Sequence, residues 1–140
     1  MKPQLTVVTL AVEDLDRSLK FYRDGLRFTT QGIVGTEFEH GAVVFFELEG
    51  SLRLALWPAA SLSAEGGINA TRQRLGAVSL GHNVASRAEV DTVMAQVAEA
   101  GAVITAAPCE RFFGGYSGYF HDPDGHLWEV VWNPKWNGEL

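Results

Sequence analysis

The chain has 140 residues, 46% of them hydrophobic and 20% charged, which is enough apolar material for one compact domain or two small fused modules. A formal net charge of −6 without any Lys or Arg run argues against nucleic acid as the main partner, and no apolar stretch is long enough to span a membrane. The one cysteine, Cys109, rules out an intrachain disulfide, and no apolar run before Glu13 and Asp14 suits a signal peptide, so a cytoplasmic protein is expected.

Leu5 to Val12 is rich in β-branched residues and reads as a strand. Asp14 follows as an N-cap, with Leu15, Leu19 and Phe21/Tyr22 at helical spacing and Gly25 as the stop. Phe28 to Val34, Ala42 to Leu48 and Leu52 to Trp57 read as three more strands, the last two joined by a tight hairpin at Glu49-Gly50-Ser51. Residues 58–76 are small, polar and Gly-bearing and read as a connection, in which Arg72 and Arg74 are solvated or attract anions.

The pattern then restarts. Val78 to Val84 reads as a strand. Ser86 caps a helix through Val90, Val93, Met94 and Val97 that Gly101 stops. Val103-Ile104 forms a short strand, and Gly118 to His121 pairs with Leu127 to Trp132 around Asp122-Pro-Asp-Gly125. That last segment matches turn preferences, with Asp first, Pro second and Gly fourth, and it lacks the acidic ladder of a calcium loop. The order β-α-β-β-β thus occurs twice: residues 1–57, the connection 58–76, and residues 77–140. Leu10-Ala-Val-Glu-Asp lies on His82-Asn-Val-Ala-Ser at an offset of 72, and Gly50 to Trp57 on Gly125 to Trp132 at an offset of 75. The expected fold is α+β, with two tandem modules forming an eight-stranded, barrel-like sheet around a central cavity and the helices outside.

This repeat, with DLDRSLKFYRDGLRF near its start and GYFHDPDGHLWEV near its end, resembles the vicinal oxygen chelate superfamily of glyoxalase I, bleomycin-resistance proteins and extradiol dioxygenases. The resemblance covers residues 5 to 134 and implies a homodimer. It also implies that members with a metal carry one ligand on the first and last strand of each module, and that metal-free members use the same cavity for a small molecule. Carried over, the four ligand positions are Val7, Leu54 (or Ala55 if the register slips by one), Ser79 and Glu129. Only Glu129 is an ordinary metal ligand, whereas usual enzyme sites need about three or four N, O or S donors. No metal or other cofactor is therefore expected.

If Glu129 and Ser79 point inward, as the resemblance implies, strand alternation brings Leu127 and Val131 inward with the first and Gly81 and Asn83 with the second. Val7, Thr9, Ala11, Leu52, Leu54 and Leu56 complete a largely apolar chamber. His82, three residues from Ser79, turns toward the helix as a core residue unless a bulge reverses it into a metal ligand. His126 turns away from Glu129, and His40 sits at the surface. In the glycine-rich, aromatic segment from Arg111 to Phe120, Phe113 and Tyr116 are candidates for the cavity mouth, whereas the parity of Trp57 favours the other face. Phe113, Tyr116, Thr9, Leu54, Ser79, Asn83 and Glu129 are the candidate ligand-binding residues. Glu129 is a general base, a partner for an amine, or a structural remnant. The leading reading is metal-independent binding of a small, partly apolar molecule, by sequestration or by an enzyme. A divalent-metal lyase or dioxygenase is the alternative, and a pocketless interaction domain a third class.

Overall fold

A computed structural model describes residues 1–71 and 76–136. The chain divides into two compact units, Met1–Gln73 and Arg74–Leu140. Arg72 and Arg74, considered above as anion-attracting groups, lie outside the described residues. No described helix is long and apolar enough to cross a membrane.

In the first unit, β1 (Val7–Val12) leads into α1 (Leu15–Leu19), which continues as a π-helical segment, Lys20–Gly25. Asp14 is the N-cap, its Oδ1 accepting the Arg17 N–H at 3.0 Å. Three strands follow: β2 (Thr30–Val34), β3 (Val43–Glu47) and β4 (Arg53–Pro58). They form a mixed sheet of order β1-β4-β3-β2, with β1 parallel to β4. Only Thr30–Val34 of the predicted second strand is ladder, and the register breaks between Thr30 and Ile33, at Gly32 with φ 84°. Phe28 instead joins the core, its ring 5.8 Å from Tyr22 and 5.9 Å from Phe46. Tyr22, Phe46, Leu54 and Leu56 are all buried there, so the Phe46 face of the sheet is the one packed on the first helix.

The segment expected as a connection, residues 58–76, contains a helix, α2 (Ala59–Gly66). Its signals were present in the sequence: Ala59, Ala60, Leu62, Ala64 and Glu65 are good helix formers, Pro58 precedes them, and Gly67 closes the helix in the left-handed conformation. The polar composition outweighed them because the helix is short and weakly amphipathic.

In the second unit, β5 (Ser79–Asn83) is followed by α3 (Arg87–Glu99), then β6 (Val103–Glu110), β7 (Tyr116–His121) and β8 (Leu127–Trp132). The sheet order is β5-β8-β7-β6, with β5 parallel to β8. Ser86 caps α3 through Glu89 N–H at 3.2 Å, and the Glu89 carboxylate reaches back to Ala85 N–H at 3.0 Å. β6 is far longer than the predicted Val103-Ile104. Its Ala, Pro and Cys residues give little strand signal, and Pro108 is tolerated because β6 is an edge strand with register breaks. Val90, Met94 and Val97 of α3 pack on the sheet face that carries Gly118, where an added Cβ would lie 2.8 Å from the Met94 methyl. On the same face Phe120 and Trp128 stack with centroids 6.1 Å apart.

The module order β-α-β-β-β is therefore present twice, but the eight strands pair as two sheets of four, with no ladder joining them among the described residues. The internal repeat also has a different register from the one the sequence suggests. Leu48 N–H bonds to Leu52 O at 2.9 Å as Asp122 N–H bonds to His126 O at 3.0 Å, an offset of 74. The left-handed Gly125 (φ 87°) thus corresponds to Ser51 (φ 66°), not to Gly50. Both loops have five residues between the last pairs, Glu47 with Arg53 and His121 with Leu127. Matching glycine to glycine slipped the comparison by one residue.

Candidate functional site

Each sheet has a face away from its helix, and the ladders say which side chains share it. In the second sheet, Asp122-Pro-Asp-Gly125 sets the register. Gly125 N–H bonds to Asp122 O at 3.0 Å, and the Asp122 carboxylate accepts from Asp124 N–H and His126 N–H, each at 2.9 Å. Asp122 is 2% exposed, so this aspartate is a structural turn residue, as the sequence pattern indicates. Leaving the turn, His121 faces Leu127, Tyr119 faces Glu129 and Ser117 faces Val131. In the parallel direction Ser79, Gly81 and Asn83 lie beside Leu127, Glu129 and Val131. Side chains paired in register point to the same side. The face opposite α3 therefore carries Ser79, Asn83, Ser117, Tyr119, His121 and Glu129 around Leu127 and Val131.

Arg111 completes this face. Its Nε donates to Ser117 Oγ at 2.8 Å and its Nη2 to Ser117 O at 3.0 Å, while the guanidinium lies 5.3 Å from the centroid of the Tyr119 ring. Ser117 is fully buried beneath it; Arg111, Tyr119 and Glu129 are half-buried. The Tyr119 phenol is held above the ordinary tyrosine range, first by burial and then by hydrogen bonding to Glu129, with Arg111 pulling the other way. The phenol is thus a neutral donor at neutral pH, and the carboxyl oxygens of Glu129 opposite it are acceptors.

The predicted site residues divide as follows. Glu129, Ser79 and Asn83 share the open face of the second sheet. Thr9 is on the corresponding face of the first sheet, beside Ala55. Leu54 is not: it pairs with Val8 and Phe46, is 1% exposed, and belongs to the helix-packed core. Ala55 takes the place expected of Leu54, because the true repeat offset is 74. Leu52 and Leu56 are likewise displaced from the predicted lining, Leu52 lying in the hairpin loop and Leu56 sharing the face of Leu54. Trp57 pairs with Ala11 and stands on the open face, contrary to its predicted parity, with its indole N–H donating to His40 O at 2.8 Å.

Tyr116 is on the helix side, opposite to its expected place. Its hydroxyl donates to Asp91 of α3 at 2.7 Å, and Arg87 lies 5.4 Å from its centroid. Phe113 is half-buried in the loop before β7, edge-on to Phe112 at 5.5 Å and packed where a Gly115 side chain would be. His82 shares the face of Val130, as alternation predicts, yet is exposed because β5 is an edge strand. His40 is not simply a surface residue: its ring meets Ser61 Oγ at 3.2 Å and its backbone has φ 56°. Cys109 is exposed on β6.

Sequence reading missed Tyr119 and Arg111. A signal for Tyr119 existed, since a hairpin closed at Asp122–Gly125 places Tyr119 opposite Glu129. None existed for Arg111, which reaches the face by folding back over Ser117.

The open face of the first sheet is more apolar, with Val7, Thr9, Ala11, Phe45, Ala55 and Trp57. Phe45 and Ala55 are the counterparts of Tyr119 and Glu129, so the polar pair of the second module is absent from the first. At one end, Arg53 pairs with Glu47 at 2.9 Å beside a groove of about 360 Å³ that Thr30, Gln31, Val34 and Phe45 also line. None of the predicted site residues lines it.

With the observed offset, the ligand positions that the resemblance implies fall on Val7, Ala55, Ser79 and Glu129. This donor set does not fit a catalytic metal, since it offers one carboxylate, one neutral hydroxyl and two aliphatic side chains. Nor do the described residues contain any group of three or more His, Cys, Asp or Glu side chains placed to hold a metal ion.

Comparison with known proteins agrees with this architecture. The model of the Glyoxalase/Bleomycin resistance protein/Dioxygenase superfamily matches residues 4–130, and the chain belongs to that superfamily. A glyoxalase-related enzyme from Fulvimarina pelagi is 32% identical, with a TM-score of 0.80 over 94% of this chain and 89% of that one. A lactoylglutathione lyase from Agrobacterium tumefaciens (24% identity, TM-score 0.71, 99% and 100% covered) shares the fold. So does a fosfomycin resistance protein from Listeria monocytogenes (22% identity, TM-score 0.70, 95% of each chain covered). No match was found among the curated proteins.

Proposed function

We propose that this protein binds a small, partly apolar organic molecule against the open face of its second sheet, without a metal, and acts by sequestration or by acid-base chemistry at Glu129. The observation that carries this reading is the Glu129–Tyr119–Arg111 cluster, set beside the apolar side chains of Leu127 and Val131. Such a surface has the composition of a small-molecule site, apolar with a few placed polar groups. Glu129 is its acceptor, Tyr119 its neutral donor, and Ser79 and Asn83 supply further polar atoms from β5. Similarity to a lactoylglutathione lyase and a fosfomycin resistance protein is consistent with a small-molecule ligand. A homodimer in the cytoplasm, as the resemblance and the single cysteine suggest, belongs to the same reading.

The test is protein purified without chelator. Metal analysis should find less than stoichiometric metal, and EDTA should leave the Tm unchanged. A thermal-shift ligand screen should find small molecules that raise the Tm with concentration, since a ligand of the native state stabilises it by mass action. Glu129→Gln should weaken their binding roughly tenfold, about 1.4 kcal/mol. A stoichiometric metal that Glu129→Gln removes would overturn the proposal and favour a metal-dependent lyase or dioxygenase. Unchanged affinity in Glu129→Gln would remove the proposed role of the carboxylate.

A further inference from the structure

Arg111 is the unusual member of this face. A guanidinium is charged at every accessible pH, and a half-buried one is stabilised by a counter-charge. The chain has 17 Asp and Glu residues, yet among the described residues Arg111 forms no ion pair. Its guanidinium hydrogen bonds go to Ser117 alone, from Nε and Nη2, so the Nη1 side of the fork bonds to no described residue. Both acceptors belong to a buried residue on a central strand, and the Tyr119 ring lies against the guanidinium. The group is therefore pre-oriented, which lowers the cost of binding an anion. The geometry of a guanidinium edge matches a carboxylate with two parallel hydrogen bonds.

Across the same tyrosine stands the opposite charge, since Tyr119, whose ring Arg111 covers, is the cross-strand partner of Glu129. A purely anionic ligand at Arg111 meets the Glu129 carboxylate, and a purely cationic one at Glu129 meets Arg111. A molecule carrying both charges satisfies both groups and leaves its apolar part to Leu127 and Val131. Like-charge juxtaposition is what rejects the other two classes. Resting on the ligand site proposed above, we infer that the ligand is an amphoteric small molecule of the amino-acid class, with its carboxylate on Arg111, its ammonium on Glu129 and an apolar side chain.

The experiment is calorimetric titration of the full chain with three probes of one shape: L-phenylalanine, phenethylamine, which lacks the carboxylate, and 3-phenylpropionate, which lacks the amine. L-Phenylalanine should bind at least tenfold more tightly than either. Arg111→Gln should abolish its advantage over phenethylamine, and Glu129→Gln its advantage over 3-phenylpropionate. Arg111→Lys, which keeps the charge without the fork, should retain part of the first advantage and serves if Arg111→Gln does not fold. Equal binding of all three probes by the wild-type protein, or tighter binding of a singly charged one, overturns the amphoteric ligand while leaving the site intact. Binding of none overturns this inference, and the ligand screen with Glu129→Gln then judges the site by itself.

Discussion

Asp122 offers the most direct test of the physical reasoning, because HDPDGH has the composition of a metal cluster and the geometry of a turn. Its Oδ1 accepts two backbone N–H groups at 2.9 Å, and the residue is 2% exposed. Hydrogen bonds to a charged acceptor contribute about 1.5–3 kcal/mol each, so Asp122→Ala has a ceiling of about 3–6 kcal/mol. Asp124 and His126 are only half-buried, so water recovers part of the loss and about 3 kcal/mol is expected. Asp122→Asn keeps an acceptor oxygen with neutral strength, and about half that loss is expected. In urea unfolding with a slope of about 1.5 kcal/mol/M, the midpoint should fall by about 2 M for Ala and about 1 M for Asn. Calcium or zinc should not move the wild-type midpoint. A fall below about 0.5 M for Asp122→Ala, or a metal-dependent midpoint that the substitution abolishes, would refute the turn assignment.

Two further outcomes follow from the faces of the sheets and the tyrosine environments. Leu54→Ala should cost about 2–5 kcal/mol in chemical denaturation, as for other buried leucines, and should leave ligand affinity unchanged; lost affinity in a fully stable variant would return Leu54 to the pocket. Tyr116 and Tyr119 both have raised pKa values, through hydrogen bonding to Asp91 in the first case and burial, then Glu129, in the second. The folded protein thus holds these protons more tightly than the unfolded chain. Their contribution is complete below the unfolded value of about 10 and is lost as pH rises through the folded values. The Tm should decline above about pH 10, and less steeply in Tyr119→Phe; an identical alkaline profile in that variant contradicts the Tyr119 environment.

Much of the local structure was legible without coordinates. Asp14 and Ser86 were readable as caps because a short side-chain oxygen before a helical pattern satisfies the first free N–H groups. The Asp-Pro-Asp-Gly turn and β8 were readable for the same kind of reason, each being set by neighbours within a few residues. The repeat was visible as well, though its register was not: Gly50 stood one place from the residue equivalent to Gly125, and that single slip exchanged Leu54 for Ala55.

Faces and meetings were another matter. Alternation says that neighbouring strand residues point oppositely, but not which set meets the helix. The contact of Tyr22 with Phe46 decides that for Leu54, and the bond from Tyr116 to Asp91 decides it for Tyr116. Arg111 is further still from a sequence signal, since its place beside Tyr119 depends on a guanidinium folding back onto a buried serine. The sequence by itself determined the caps, the turn, the doubled module and the lone carboxylate among its expected ligand positions, because these depend on local chemistry and spacing. Only tertiary structure decided which side chains share a face with that carboxylate, because strand register and helix packing are set by residues far apart along the chain.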